Sequence, residues 1–154
     1  MATLYSNQKT KWSQNVPSEK IDTNELSGKM RIAFADVTLA SAQIGDVVEL
    51  VNLPNGARII DGYLTYAALG SSTTLSVGYA AYKNAAGTTV ALSATAYLAA
   101  TSTSSAARTD IFATQALGAN SVVDANQDGL PITATLAGGT ASGVVQIAIR
   151  YVVD

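Results

Sequence analysis

Between Gly62 and Ala107 this chain carries a single charged residue, Lys83, and that run decides which folds are open to it. So long an uncharged stretch is a membrane span, a low-complexity tract, or sheet that other protein covers. Its middle, "STTLSVGYAAY" (72–82), separates the three. Thr73, Leu75, Val77, Tyr79 and Ala81 alternate with Thr74, Ser76, Gly78, Ala80 and Tyr82. A repeat of two is the period of a β-strand, whose successive side chains point to opposite faces. A spanning helix needs about 20 predominantly apolar residues in a row, and no stretch supplies them. Leu75, Val77 and Tyr79 are therefore expected to face a core. Thr74, Ser76, Gly78 and Tyr82 are expected to be covered by a neighbouring subunit.

The same texture runs from Arg31 to the C-terminus. "RIAFADVTL" (31–39) is apolar on both faces, and "SAQIGD" turns the chain. "DVVELVNL" (46–53) stops at Pro54-Asn55-Gly56, a strong turn signal. "ARIIDGYLTYAAL" (57–69) is expected to place Ile60, Leu64 and Tyr66 on one face with Gly62 between them. "VALSATAYLAA" (90–100) reads as a weak strand, "TSTSSAARTD" (101–110) as a loop, and "IFATQALGANSVV" (111–123) as either a helical turn or a strand. The end is clearest. "LPITATL" (130–136) alternates, "AGGTASG" closes a hairpin through glycines, and "VVQIAIRYVV" (144–153) turns Val145, Ile147, Ile149, Tyr151 and Val153 to one side. Pro131 lacks an N–H and marks a strand start or an edge.

Seven or eight short strands punctuated every eight to twelve residues read as an antiparallel sandwich or barrel. The long connection from about 97 to 130 suits a Greek-key or jelly-roll crossover. The reading is an all-β, jelly-roll-like sandwich over residues 31–154, preceded by an extended arm, residues 1–30.

Residues 1–31 hold eight of the chain's twenty charges and show neither helical nor strand period. They contain no apolar run of a secretory signal, so folding in a cytoplasm is expected. Within them, "LYSNQKTKW" sets Tyr5 and Trp12 around Lys9 and Lys11. One reading is a flexible tail whose aromatics fold back on the body. The sharper one is a docking arm, because segments that order on binding use such anchors.

Charge and residue usage remove whole classes of function. With 48% hydrophobic residues, only 13% charged ones and a net charge of −2, much of the surface is expected against other protein. The chain has no cysteine and no histidine. Disulfides, thiolate chemistry, the commonest general base and the commonest metal ligand go with them. Asp36, Asp46, Glu49, Asp61, Asp110, Asp124 and Asp128 form no pair that spacing sets face to face. "DANQDG" (124–129) alternates Asp124, Asn126 and Asp128 like a calcium loop, but Thr135 stands where the twelfth-position Glu belongs, so it reads as a turn. Lys9 and Lys11 neutralise too few phosphates for nucleic acid. No enzyme activity, cofactor, metal, nucleic-acid or membrane partner is expected.

Three blocks carry a resemblance over nearly the whole chain. "LYSNQKTKWSQNVPSEKIDTNELSGKMRIAFADVTL", "LPNGARIIDGYLTYAALGSSTTLSVGYAAY" and "GGTASGVVQIAIRYVV" resemble small tailed-phage virion proteins described as head decoration, cement or head-fibre proteins. The shared pattern is "VPSEK" before a first strand, then an "LP-GARI-D" strand and an "LG-STTL-VGY" strand. The resemblance implies a jelly-roll-like sandwich that oligomerises as a trimer or dimer, sits on the capsid surface and locks adjacent major capsid subunits. It would place the protein in the virion after assembly in a bacterial cytoplasm. On this reading Tyr5, Lys9, Lys11 and Trp12 contact the capsid, and Thr74, Ser76, Gly78 and Tyr82 a sister subunit. The alternative is a head-fibre or tail adhesin binding host glycan, with Tyr63, Tyr66, Tyr79, Tyr82 and Tyr97 as available aromatics.

Overall fold

The computed structural model describes Lys9 and residues 28–113 and 122–153. Among these residues the strands are β1 (Met30–Ala42), β2 (Val47–Leu53), β3 (Arg58–Tyr66), β4 (Thr74–Tyr79), β5 (Tyr82–Lys83), β6 (Thr89–Val90), β7 (Ser93–Ser102), β8 (Ala107–Asp110), β9 (Leu130–Ala137) and β10 (Ala141–Val152). Their pairings are antiparallel and nested: β1 with β10, β2 with β9, β3 with β8, and β4 with β7. The chain is thus one long ribbon, with the short β5–β6 hairpin inside its tip. The ribbon folds over so that β10 also pairs with β3, and β9 with β4. Two four-stranded sheets result, in the orders β1-β10-β3-β8 and β2-β9-β4-β7. This is the jelly-roll sandwich that the strand pattern implies.

Alternation does most of the building. Leu64, Leu75, Val77, Ile132, Leu136, Val145, Ile147 and Ile149 point between the sheets and are buried. Each contributes roughly 1.5–3 kcal/mol by leaving water. Turns fall where local chemistry permits them. Gly56 takes φ 75° after Pro54-Asn55, and Gly138 takes φ 80° after β9. A side chain at Gly138 would stand 2.1 Å from the Ser72 carbonyl oxygen, so this turn also needs glycine for lack of room.

Two sequence expectations are corrected. Ile60 does not join Leu64 and Tyr66: the β3–β10 register slips between Asp61 and Ile59, so Ile59 is 1% exposed and Ile60 40%. A bulge inserts one residue and flips the parity beyond it. The expected loop 101–110 instead completes β7 and forms β8. Its Ala, Ser and Thr are held by pairing to β4 and β3 rather than by apolar alternation. Of segment 111–123, Ile111 and Phe112 are buried in a bend and Val122 bridges Arg58 antiparallel, while residues 114–121 lie outside the described residues.

Candidate interaction surface

Strand β1 is an edge strand. Its odd positions Ala33, Ala35, Val37 and Leu39 turn toward the core, and its even positions turn outward. Met30, Ile32 and Phe34, three successive outward positions, are 57%, 64% and 60% exposed. Single exposed apolar side chains are ordinary on a protein surface, but a contiguous row of them on an edge strand is the kind of patch that characterises interaction sites.

The register extends this row across the sheet. Phe34 lies opposite Ala148, Ala148 opposite Tyr63, and Tyr63 opposite Asp110. In the next row Ile32, Arg150 and Asp61 are neighbours, and on the other side Asp36, Gln146, Thr65 and Arg108. Tyr63 is the hub. The Arg108 guanidinium lies 3.9 Å from its ring centre, and Arg150 donates to its hydroxyl at 3.2 Å. Stacking on the ring face is favourable to a cation because the π cloud is negative there. Arg150 also forms a two-point ion pair with Asp61, and that bond is the main reason its pKa is raised. The result is a shallow face, apolar at the β1 edge and cationic around an aromatic ring. Depressions of about 290 and 220 Å³ flank Tyr63.

The residues singled out in the sequence fall elsewhere. Tyr5, Lys11 and Trp12 lie outside the described residues, and Lys9 is exposed. In β4, Leu75 and Val77 face the core as alternation requires. Ser76 and Gly78 are also buried, within the chain itself, and Thr74 and Tyr82 are half-buried. Gly78 lies beneath the backbone of β7: a Cβ there would stand 1.8 Å from the Ser93 carbonyl oxygen. Tyr79 packs edge-on against Tyr82 at 5.6 Å and tilted against Tyr97 at 5.9 Å, so these aromatics bind the ribbon tip to the body.

Of this face the sequence named only Tyr63, as an aromatic available to a glycan-binding adhesin; Ile32, Phe34, Arg108 and Arg150 were not singled out. The one hint was that "RIAFADVTL" is apolar on both faces. "DANQDG" is a turn: Asn126 accepts from the Asp128 amide and donates to the Asp128 carboxylate, at 3.1 and 2.7 Å.

No protein-family model matches the chain, and no curated protein matches it. Among solved structures it is similar to a chain of the cyanophage Pam1 capsid asymmetric unit, at 20% identity and a TM-score of 0.58, over 84% of this chain and 88% of that one. It is similar also to a chain of the capsid of Ralstonia phage GP4, at 20% identity and a TM-score of 0.62, over 82% of this chain and 86% of that one. At such identity the likeness is one of fold, and it runs nearly end to end in both pairs: this chain shares its sandwich with two phage-capsid chains of about its own size.

Proposed function

We propose that the protein is a structural component of a phage virion, a decoration or cement protein that binds the outer surface of the capsid and stabilises contacts between major capsid subunits. The observation that carries this reading is the near end-to-end fold likeness to two phage-capsid chains of similar size.

The surface supports the reading. A row of exposed apolar residues at Met30, Ile32 and Phe34, on a chain with few charges, suits burial against protein in a particle. A standard interface removes on the order of 1,600 Å² from water, and symmetry repeats that gain over a shell. In this proposal Tyr5, Lys9, Lys11 and Trp12 anchor the chain on the capsid, and the outer face of the β1-β10-β3-β8 sheet meets a neighbouring subunit. Thr74 in β4 and Tyr82 in β5 keep surface that a sister copy could cover. The role asks for positioned surface and no catalytic group.

The test is attachment to capsids that lack the protein, measured by co-sedimentation. Deleting residues 2–14 is expected to abolish attachment, and Phe34→Asp to weaken it, with the unfolding midpoint of each variant unchanged. Attachment that survives both changes would overturn the proposal.

A further inference from the structure

A second surface, remote in the fold from the β1 face, has a different chemistry. At the end of the sandwich near the ribbon tip lies an open cleft of about 460 Å³, lined by Asn52, Tyr82, Lys83, Thr89, Asn126 and Asp128, with Ala81, Gly129 and Pro131 completing it. Its size is within the range of small-ligand sites, about 300–1,000 Å³. We propose that this cleft is a saccharide-binding site that accepts one or two pyranose rings of a neutral glycan.

The argument begins with what a pyranose presents: a patch of C–H bonds on one face and a rim of hydroxyls that each donate and accept. Recognition needs an apolar or aromatic platform beside groups of mixed hydrogen-bonding sense. The cleft supplies the Tyr82 ring, Pro131 and Ala81 for the first. Two amides, a carboxylate, an ammonium and a hydroxyl, from Asn52, Asn126, Asp128, Lys83 and Thr89, supply the second. A cleft lined by a single lysine and a carboxylate is a poor phosphate site, since phosphate recognition draws on several cationic or backbone N–H donors. The cleft is also too open to enclose an apolar ligand.

The cleft is built rather than incidental. The Asn126 amide donates to the Lys83 carbonyl at 2.8 Å, and the Ala80 amide to the Pro131 carbonyl at 3.1 Å. The Ala85 amide donates to the Asp124 carboxylate at 3.1 Å. These bonds tie the β5–β6 hairpin to the turn before β9, so the opposing walls are joined. Within that turn the Asn126–Asp128 side-chain bond fixes both polar heads. Gly129 takes φ 82°, and a Cβ there would stand 2.7 Å from the Leu53 carbonyl oxygen, so the corner tolerates glycine alone. Groups held in place before binding lose less freedom on binding. A shallow cleft still binds one saccharide weakly, and many copies on one particle would raise avidity by about 10²–10⁴. The single-site claim does not depend on that display.

The test is a titration of the full-length protein with D-glucose, D-galactose, N-acetyl-D-glucosamine and L-rhamnose, followed by two-dimensional amide NMR at millimolar sugar. At least one sugar is expected to give saturable shifts confined to Lys83, Thr89, Asn126 and Gly129. Tyr82→Ala is expected to weaken that binding about tenfold. Should Tyr82→Ala disturb the fold, Asn52→Ala and Thr89→Ala, at exposed positions, are expected to weaken binding while leaving the rest of the spectrum in place. The absence of saturable shifts with all four sugars, shifts that map to another face, or binding unchanged in Asn52→Ala and Thr89→Ala would each overturn the proposal.

Discussion

The hydroxyl of Thr103 donates to that of Thr73 across 2.8 Å, and the Thr73 hydroxyl in turn donates to the Gly70 carbonyl at 2.9 Å. Both side chains are shut off from water, at 0% and 1% exposure. The relay joins the end of β7 to the loop that enters β4, alongside the backbone bond from the Thr103 amide to the Thr73 carbonyl.

The direction of the relay predicts an asymmetry. Thr103→Val removes a donor and leaves Thr73 with its acceptor, at a cost of about 1 kcal/mol. Thr73→Val removes the central hydroxyl and strands the Thr103 hydroxyl in a dry site, which costs about 1–3 kcal/mol. The double variant is expected to cost less than the sum of the two, because no orphan hydroxyl remains. Urea unfolding midpoints decide the matter, and equal single costs with full additivity would contradict the relay.

Gly78 sets a second prediction. The Ser93 carbonyl 1.8 Å from its missing Cβ is backbone, and backbone paired into a sheet cannot step aside. Gly78→Ala is expected to cost about 3 kcal/mol or more, through distortion of the β4–β7 pairing. Gly87 serves as the control: it takes φ 81° but has open space where a Cβ would go. Gly87→Ala is expected to cost only the left-handed strain, about 1–2 kcal/mol. Thermal unfolding of the two variants side by side distinguishes crowding from strain.

The bulge in β3 makes the adjacent pair Ile59 and Ile60 energetically unlike. Ile59 is 1% exposed and Ile60 40%. Ile59→Ala is expected to cost about 2–5 kcal/mol, as a large core truncation does. Ile60→Ala, beside solvent, is expected to stay below about 1 kcal/mol. Strict alternation through Ile60, Leu64 and Tyr66 would give the reverse order, so denaturant titration of the two variants reads out the parity directly.

That reversal shows where the sequence stops being legible. Strands β4, β9 and β10 could be read because their alternation is local and their ends carry Gly, Pro or Asn. The bulge at Ile60 has no such mark: nothing in "ARIIDGYL" says which isoleucine the partner strand will skip. β7 and β8 were faint because Ala, Ser and Thr carry little burial signal, and these strands are held by their neighbours' hydrogen bonds. The β1 face was least legible of all. Phe34, Tyr63, Arg108 and Arg150 are far apart in the chain, and only the nested register brings them to one surface. The cleft at Tyr82 has the same origin, since Asn52, Tyr82 and Asn126 come from three separate passes of the ribbon.

The last prediction concerns alkaline pH. Tyr97 packs against Phe112 at 4.9 Å and Tyr79 at 5.9 Å between ring centres. Burial pushes its phenol pKa well above the ordinary 10.0, and the neighbouring Tyr79 and Tyr82 push in the same direction. Below about pH 10 the phenol is protonated whether the chain is folded or not, and its contribution to stability is complete. Above that, the unfolded chain gives up the proton while the folded one keeps it, so unfolding is favoured by about 1.4 kcal/mol per pH unit until the folded phenol ionises as well. Tyr97→Phe removes this group, so its stability should fall less steeply than the wild type's between about pH 10 and pH 12. Tyr82, shifted the same way, leaves some slope behind. Near neutral pH the two proteins are expected to agree within about 1 kcal/mol, since the ring and its packing are retained. Urea titrations at several alkaline pH values measure the two slopes, and identical slopes would show that the Tyr97 phenol is as free to ionise in the folded sandwich as in the open chain.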